Sequence, residues 1–139
     1  MTQLITHNAL RPQPVVTAET RTFWDGAARG DLRLRRCTGC GRLAAPGAPR
    51  CVGCLGDAFR DETLSGSVVL VGRTVLHLQP LPGRDGPLVI VECAVAEDPR
   101  IVLIALDEGD VTENARPGSP FTVIFPATEE GACFATVQP

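Results

Sequence analysis

The stretch Cys37-Thr-Gly-Cys40-Gly41, followed ten residues later by Cys51-Val-Gly-Cys54, decides the fold. In each pair the two intervening residues let the chain turn so that both thiolates face one ion, and two such turns supply four sulfur ligands in a tetrahedron. Gly41 fits the first turn because glycine tolerates a positive φ, whereas Leu55 followed by Gly56 is a looser match after the second pair. The spacing predicts one zinc ion bound by Cys37, Cys40, Cys51 and Cys54, with iron as the alternative ion.

Four thiolate ligands leave no open coordination position for water, so the predicted ion is structural and not catalytic. A thioredoxin-type redox pair would need a βαβ setting, and no such pattern surrounds either cysteine pair. The two remaining cysteines, Cys93 and Cys133, lie inside apolar strand-like runs and are predicted to be small buried hydrophobic residues.

The composition indicates one ordinary domain, or a small module plus a compact one, in 139 residues. The hydrophobic content of 44% supports a core, and because aromatic residues make up only 4%, that core is predicted to be aliphatic. No apolar run approaches the ~18 residues of a membrane span, and residues 1–16 do not have the pattern of a secretory signal. We therefore expect a cytoplasmic protein without a membrane partner, in which the paired cysteines bind metal and do not form disulfides.

The charges are distributed unevenly along the chain. All 13 basic residues are arginine, which excludes a Schiff-base or P-loop lysine. Residues 1–60 carry nine arginines and four acidic residues, a net charge of +5, whereas residues 61–139 carry four arginines and twelve acidic residues, a net charge of −8. This asymmetry predicts an anion or an acidic partner near the first half, with solvated arginines as the alternative.

The first half of the chain is predicted to contain a flexible tail (1–17) and then a helix and ribbon module (18–62). The helix is predicted over 18–29, with Thr17 or Thr20 as its cap and Gly30 at its end. Its apolar face at i, i+4 spacing consists of Phe23, Trp24, Ala27 and Ala28.

The second half (63–139) is predicted to be a barrel, because short apolar runs alternate with turn signals. One long connection precedes the fourth run, and five strands in this order are typical of the OB-type Greek-key barrel. The fold class is therefore mainly β: an N-terminal helix, a rubredoxin-like zinc ribbon and a five-stranded OB-fold barrel. The predicted strands are Ser67–Leu78, Leu88–Ala96, Ile101–Leu106, Phe121–Phe125 and Cys133–Val137, with a loop at Gln79–Pro87.

From about residue 18 to the C-terminus this order resembles the DUF35 family, the zinc-ribbon plus OB-fold proteins associated with acyl-CoA enzymes. The features that carry the resemblance are Phe23-Trp24-Asp25 with Gly30, Leu32-Arg-Leu-Arg-Arg-Cys37, Cys40-Gly41, Pro46, Pro49, Cys51, Cys54, Gly66-Ser67-Val68, Val75-Leu-His77, and Gly118 before Phe121-Thr-Val-Ile-Phe125.

The resemblance implies a non-catalytic companion of a thiolase-like enzyme, in acyl-CoA condensation or retro-aldol cleavage, as in lipid, steroid side-chain or polyketide-type metabolism. Some members are instead linked to MaoC-type enoyl-CoA hydratases. In either case the small protein helps to hold, channel or recognise a CoA thioester, and the catalytic residues belong to the partner. The segment 78–86 departs from the family pattern and could set substrate or partner choice.

Five residues are candidate contacts to CoA or to the partner: Trp24, Arg33, Arg35, Arg36 and His77. Guanidinium groups bind phosphates in bidentate fashion, and an indole can stack on an adenine. Core packing of Trp24, ion pairing of the arginines and an ordinary surface hydrogen bond of His77 are the alternatives.

Two other functions compete with this interpretation. Ribbons and OB barrels also bind nucleic acids, but such barrels need a basic groove with stacking aromatic residues, and here the barrel is the acidic half. A stand-alone enzyme is the other alternative, although the sequence lacks a nucleophile–base pair, a HExxH or GxSxG motif, and a glycine-rich phosphate loop.

Overall fold

The computed structural model describes residues 11–78 and 86–139, and these residues form a mainly β protein with one short helix. Within them no helix is both long enough and apolar enough to cross a bilayer. The elements in chain order are α1 (Arg21–Ala28), β1 (Arg33–Cys37), β2 (Leu43–Ala44), β3 (Phe59–Thr63), β4 (Ser67–Leu76), β5 (Leu88–Val95), β6 (Asp98–Leu106), β7 (Pro120–Ile124) and β8 (Thr136–Gln138). The predicted fold class is confirmed.

Helix α1 is shorter than the predicted helix over 18–29. The Thr17 amide donates to Thr20 Oγ1 at 2.9 Å, and the Thr20 amide donates to the Thr17 carbonyl at 3.2 Å, so the preceding residues form a turn. Thr20 occupies the N-cap position, as predicted. Its side chain makes no hydrogen bond to a backbone amide of the helix, so the predicted side-chain cap is not formed. Gly30 follows the helix with a φ of 82°, as predicted.

The buried face of α1 differs at one position from the predicted face. Ala27 is fully buried, and Phe23 and Trp24 pack against the core, but Ala28 is exposed. Gly26 is buried instead, and a Cβ there would lie 2.6 Å from Arg33 Cβ. Glycine therefore allows the helix to lie directly against β1.

The ribbon is a three-stranded antiparallel sheet in the order β2-β1-β3. Strand β3 was not predicted, because its middle residues Arg60, Asp61 and Glu62 are all charged and show no apolar alternation. It pairs with the full length of β1, from Arg33 opposite Thr63 to Cys37 opposite Phe59.

The barrel closes in the order β4-β5-β6-β8-β7, with β7 returning to β4. All neighbours are antiparallel except β6 and β8, and the five strands close into a barrel, as predicted. The bounds differ at several strands. β4 ends at Leu76 and not at Leu78, β6 begins at Asp98 and not at Ile101, and β8 is only Thr136–Gln138. Residues 79–85 of the predicted loop and residues 1–10 of the predicted tail lie outside the described residues.

One hydrophobic core joins the helix, the ribbon and the barrel. Ala27 of α1 and Leu34 and Leu43 of the ribbon belong to the same buried cluster as the barrel residues Val91 and Val95. Burying one such aliphatic side chain contributes roughly 1.5–3 kcal/mol, so the ribbon is attached to the barrel by apolar contact as well as by the chain.

The two cysteines outside the ribbon are buried in this core, as predicted. Cys93 is 0% exposed and Cys133 is 8% exposed. Burial raises the pKa of the Cys93 thiol to about 11, which makes it an inert core residue.

Two acidic residues between β6 and β7 hold that connection together. Asp107 is 4% exposed and accepts hydrogen bonds from the Val111 amide at 2.9 Å and the Thr112 amide at 2.8 Å. Asp110 forms an ion pair with Arg73 of β4 at 2.8 Å. Their role is therefore structural.

Candidate metal centre and an adjoining apolar groove

The four ribbon cysteines converge on one point. Their Sγ atoms all lie within 4.8 Å of one another, with Cys37 and Cys54 3.5 Å apart and Cys40 and Cys51 3.4 Å apart. A tetrahedron with Zn–S bonds of about 2.3 Å has sulfur–sulfur edges of about 3.8 Å, which is close to these separations. The donor set and its geometry therefore fit a tetrahedral metal ion such as zinc.

The two cysteine turns have the same backbone hydrogen bonds. The Gly41 amide donates to the Cys37 carbonyl at 2.9 Å, and the Leu55 amide donates to the Cys51 carbonyl at 2.8 Å. Gly41 has a φ of 81° and Leu55 a φ of 64°, so the looser match in the sequence takes the same left-handed conformation without being glycine.

Backbone amides stabilise negative charge on two of the sulfurs. The amide of Cys54, helped by that of Gly53, lowers the pKa of the Cys51 thiol to about 6. The amide of Cys40 lowers the pKa of Cys37. The Gly56 amide also lowers the pKa of the Cys54 thiol. The neighbouring sulfurs of Cys37 and Cys40 have a larger, opposite effect, so the pKa of Cys54 is raised to about 11. A bound cation would favour the thiolate form of all four cysteines.

The three predicted arginines on β1 make contacts within the protein. The Arg35 guanidinium lies 4.3 Å from the centre of the Phe59 ring and donates to the Ala48 carbonyl. Arg36 donates to Glu62 at 2.9 Å and to the Gly41 carbonyl at 2.7 Å. Arg33 lies beside Gly26 of the helix. Contact of these arginines with CoA or a partner stays a prediction.

His77 and Trp24 lie in different settings. His77 is exposed just beyond the end of β4, next to residues outside the described ranges. Trp24 packs edge-on against Phe23 at 5.1 Å and against Phe134 at 5.6 Å, and Phe23 in turn meets Phe125 at 5.7 Å. The aromatic pair of α1 therefore packs on the barrel.

Trp24 also borders an apolar groove of about 330 Å³ between α1 and the barrel. Phe134 and β6 residues 104–106 form its other walls, and Arg11 and Pro12 lie along its edge. Arg11, within the stretch predicted to be a tail, forms an ion pair with Glu108 at 2.8 Å, and its guanidinium lies 5.1 Å from the Phe134 ring centre.

The groove continues onto the outer face of β6. Ile104 is 61% exposed and Val102, on the same face, is 44% exposed. This apolar surface was not predicted from the sequence. The sequence nevertheless contains a signal for it, because residues 101–106 are apolar at every position and do not alternate with polar residues. A strand of that kind has an apolar outer face as well as an apolar core face.

A helix, a four-cysteine ribbon and an OB barrel on one core define the class of ribbon-plus-OB-fold proteins. Within that class the chain is similar to a structure described as "Ltp2-ChsH2(DUF35) aldolase", with 19% identity, a TM-score of 0.79, and coverage of 91% of this chain and 98% of that one. It is also similar to a DUF35 protein of unknown function from Sulfolobus solfataricus, with 16% identity, a TM-score of 0.56, and coverage of 84% and 82%. The resemblance to DUF35 proteins is thus confirmed in the fold. No family model and no curated protein matches the sequence.

Proposed function

We propose that this protein is a metal-binding accessory subunit of a thiolase-like enzyme that acts on acyl-CoA substrates in condensation or retro-aldol cleavage. In this role it helps to bind or channel the CoA thioester, while the partner supplies the catalytic groups. The ion in the ribbon is zinc, and its role is structural.

One observation carries this proposal. The whole ribbon-plus-barrel unit superposes on a DUF35 chain described as part of an aldolase, over 91% of this chain and 98% of that one. The match spans helix, ribbon and barrel together, so the proposal rests on analogy with the whole three-part fold and not on either module alone.

The distribution of reactive groups supports an accessory role. Cys93 and Cys133 are buried in the core, and the cysteines of the ribbon are turned toward one another. His77, the one histidine among the described residues, is exposed at a strand end. A catalytic dyad needs a nucleophile and a base within hydrogen-bonding reach, and none of these cysteines forms a hydrogen bond with His77 in the described residues.

The apolar groove supports association with another protein. It combines three aromatic side chains with an exposed isoleucine, a composition typical of contact surfaces and acyl-binding surfaces. The barrel surface gives less support to the alternative that the protein binds nucleic acid. The outer face of the second and third barrel strands, on which OB barrels commonly bind oligonucleotides, carries Glu92, Val102 and Ile104.

The test is co-expression of the tagged full-length chain with thiolase-like and MaoC-like proteins of the same organism. We expect a stoichiometric complex with the thiolase-like protein, which turns over acyl-CoA faster than either component alone. A complex with the MaoC-like protein instead would keep the accessory role but overturn the thiolase assignment. Three results would overturn the proposal. They are full activity of the isolated chain, failure to bind either enzyme, and tight binding to nucleic acid in a low-salt mobility-shift assay.

A further inference from the structure

Each cysteine turn is preceded by an arginine whose side chain reaches the end of that turn. Arg36 lies directly before the first turn, and its Nη1 atom donates to the Gly41 carbonyl at 2.7 Å. Arg50 lies directly before the second turn, and its Nη1 atom donates to the Leu55 carbonyl at 3.1 Å. The two turns therefore share this side-chain contact as well as their backbone hydrogen bonds.

The two arginines differ in the net charge that they bring to the ribbon. Arg36 also donates to Glu62 at 2.9 Å and forms an ion pair with it, so these two side chains are neutral together. In the described part of the chain no carboxylate forms an ion pair with Arg50. Arg50 therefore brings a hydrogen bond and a positive charge to the second turn, whereas Arg36 brings only the hydrogen bond to the first.

A third arginine lies beside the sulfur atoms. A Cβ atom on Gly53 would lie 3.6 Å from Cys51 Sγ and 3.7 Å from Cys40 Sγ. The same position is 3.2 Å from Cδ of Arg42, the carbon to which the guanidinium is bonded. The side chain of Arg42 therefore flanks two of the four sulfurs.

The charge of Arg42 is not cancelled by an ion pair within residues 11–78 and 86–139. Hydrogen bonds from Arg100, and to a smaller extent the charge of Arg42, lower the pKa of Asp98. Because Arg100 donates to both oxygens of Asp98 at 2.9 Å, that carboxylate is already neutralised. Arg42 and Arg50 thus keep their positive charges at the second cysteine turn.

The occupied metal site would carry the opposite charge. Four thiolates with one divalent cation have a net charge of about −2, and Cys37 and Cys51 are each only 2% exposed. Charge that is withdrawn from water is unfavourable unless it is compensated, and backbone amides supply dipoles but no net charge. The two arginines match the net charge of the site in size and are opposite in sign.

We propose that Arg42 and Arg50 are positioning residues of the metal centre, which compensate the net negative charge of the four-thiolate site and thereby tighten its hold on the ion. Arg36 is their counterpart at the first turn, where it contributes a hydrogen bond without net charge. This inference rests on the proposed metal site but not on the proposed partner enzyme or substrate.

The test is competition for zinc between the full-length protein and a chromophoric chelator, at low and at high ionic strength. We expect the double variant Arg42→Gln/Arg50→Gln to bind zinc at least about tenfold more weakly than the wild type at low ionic strength. The loss should shrink at high ionic strength, because salt screens charges near the surface. Arg50→Lys keeps the charge and should retain most of the affinity that Arg50→Gln loses.

The matched control is the double variant Arg36→Gln/Glu62→Gln, which removes the hydrogen bond of the first turn together with a neutral ion pair. Any loss of zinc affinity in this variant should be the same at both ionic strengths. Arg21→Gln removes a charge from an exposed position on α1, away from the cysteines, and should leave the affinity unchanged.

The outcomes separate this inference from the metal site on which it rests. A wild type that binds no zinc would overturn both. A wild type that binds one zinc ion per chain, with unchanged affinity in Arg42→Gln/Arg50→Gln, would overturn the role of the arginines alone. A loss that is equal at both ionic strengths, or that Arg50→Lys does not restore, would show that these side chains act through packing and not through charge, and would also overturn the proposal. Melting temperatures at saturating zinc show that each variant is folded.

Discussion

Gly41 and Leu55 occupy equivalent positions in the two cysteine turns, where each amide closes a turn onto the carbonyl of the cysteine four residues earlier, at 2.9 Å and 2.8 Å. Both have a positive φ, 81° and 64°. Glycine takes this conformation without penalty, whereas a residue with a Cβ atom pays about 1–2 kcal/mol. The second turn is therefore strained where the first is not.

This relationship predicts opposite effects of two substitutions. Gly41→Ala should lower the free energy of unfolding by about 1–2 kcal/mol, because a Cβ there meets no atom within 4 Å and only the backbone conformation is penalised. Leu55→Gly should raise it, by less than about 1 kcal/mol, because relief of strain is offset by the greater freedom of glycine in the unfolded chain. Denaturant unfolding at a fixed free zinc concentration measures both. As a control, Gly72→Ala adds a Cβ in equally open space without a positive φ and should not destabilise the protein.

Loss of the ion should loosen the ribbon. Cys40→Ser replaces an exposed cysteine of the predicted metal site, and we expect the purified variant to retain less metal and to unfold at lower denaturant, because a structural zinc contributes folding free energy directly. Cys133→Ala, at a buried position outside the cluster, should keep the full metal content. Elemental analysis gives the identity of the ion as well as its amount. A stably folded native protein free of metal would show that the thiols do not form a metal site.

The close contact between α1 and β1 predicts that Gly26→Ala is destabilising. A Cβ there would lie 2.6 Å from Arg33 Cβ and 2.9 Å from the Asp31 carbonyl oxygen, so the helix must move away from the ribbon. Overpacking of this kind costs about 1–3 kcal/mol, which exceeds the gain of roughly 1 kcal/mol in helix propensity. At the exposed Ala28, the last residue of α1, the reverse change to glycine tests helix propensity without overpacking and should cost less than about 1 kcal/mol, because that figure applies to a helix interior. A net increase in stability of Gly26→Ala in thermal unfolding would contradict this packing.

The ion pair between β1 and β3 predicts a pH dependence of stability. Hydrogen bonds from Arg36 lower the pKa of Glu62, so the folded protein holds this carboxylate ionised more strongly than the unfolded chain does. The stabilisation is complete above the unfolded pKa of about 4.3 and is lost as the pH falls through the lower pKa of the folded state.

The measurement is the difference in unfolding free energy between the wild type and Glu62→Gln across this acidic range, at matched zinc concentration. The wild type should be more stable at neutral pH, and the difference should shrink on acidification. Glu113→Gln, at an exposed position, serves as the control and should show no such trend. A difference that is constant with pH would mean that Glu62 acts through packing and not through its charge.

The parts of the fold that sequence predicted are those with local signals. The Cys37 and Cys51 turns repeat a fixed spacing, and the barrel strands are apolar runs between turn residues, so both appear within short windows. Strand β3 was missed because its pairing with β1 depends on charged contacts such as Arg36 with Glu62, which lie 26 residues apart. Tertiary pairing of this kind leaves no periodic trace in either segment.

The site was harder to predict than the fold for the same reason. The groove joins Arg11, Trp24, Ile104 and Phe134, which are distant in sequence and meet only when the barrel closes. The arginines nearest the first cysteine turn were the predicted contacts, yet Arg35 and Arg36 make intramolecular bonds. Proximity in sequence to a motif does not indicate which side chains remain available to a ligand.

The apolar groove is the surface that we expect to contact the proposed partner enzyme. Ile104→Asp places a charge in the groove, and because Ile104 is 61% exposed, the free protein should keep its stability. Binding to the proposed thiolase-like partner should fall at least about tenfold, since burying an uncompensated carboxylate in an apolar interface is costly. Val71→Asp is the matched control, because Val71 is an aliphatic residue on the barrel surface, 42% exposed, that does not line the groove. Affinities measured by surface plasmon resonance with the purified partner test the pair. Equal affinities for the two variants would place the interface elsewhere on the molecule, whereas a selective loss for Ile104→Asp would identify the face between α1 and β6 as the one that meets the enzyme.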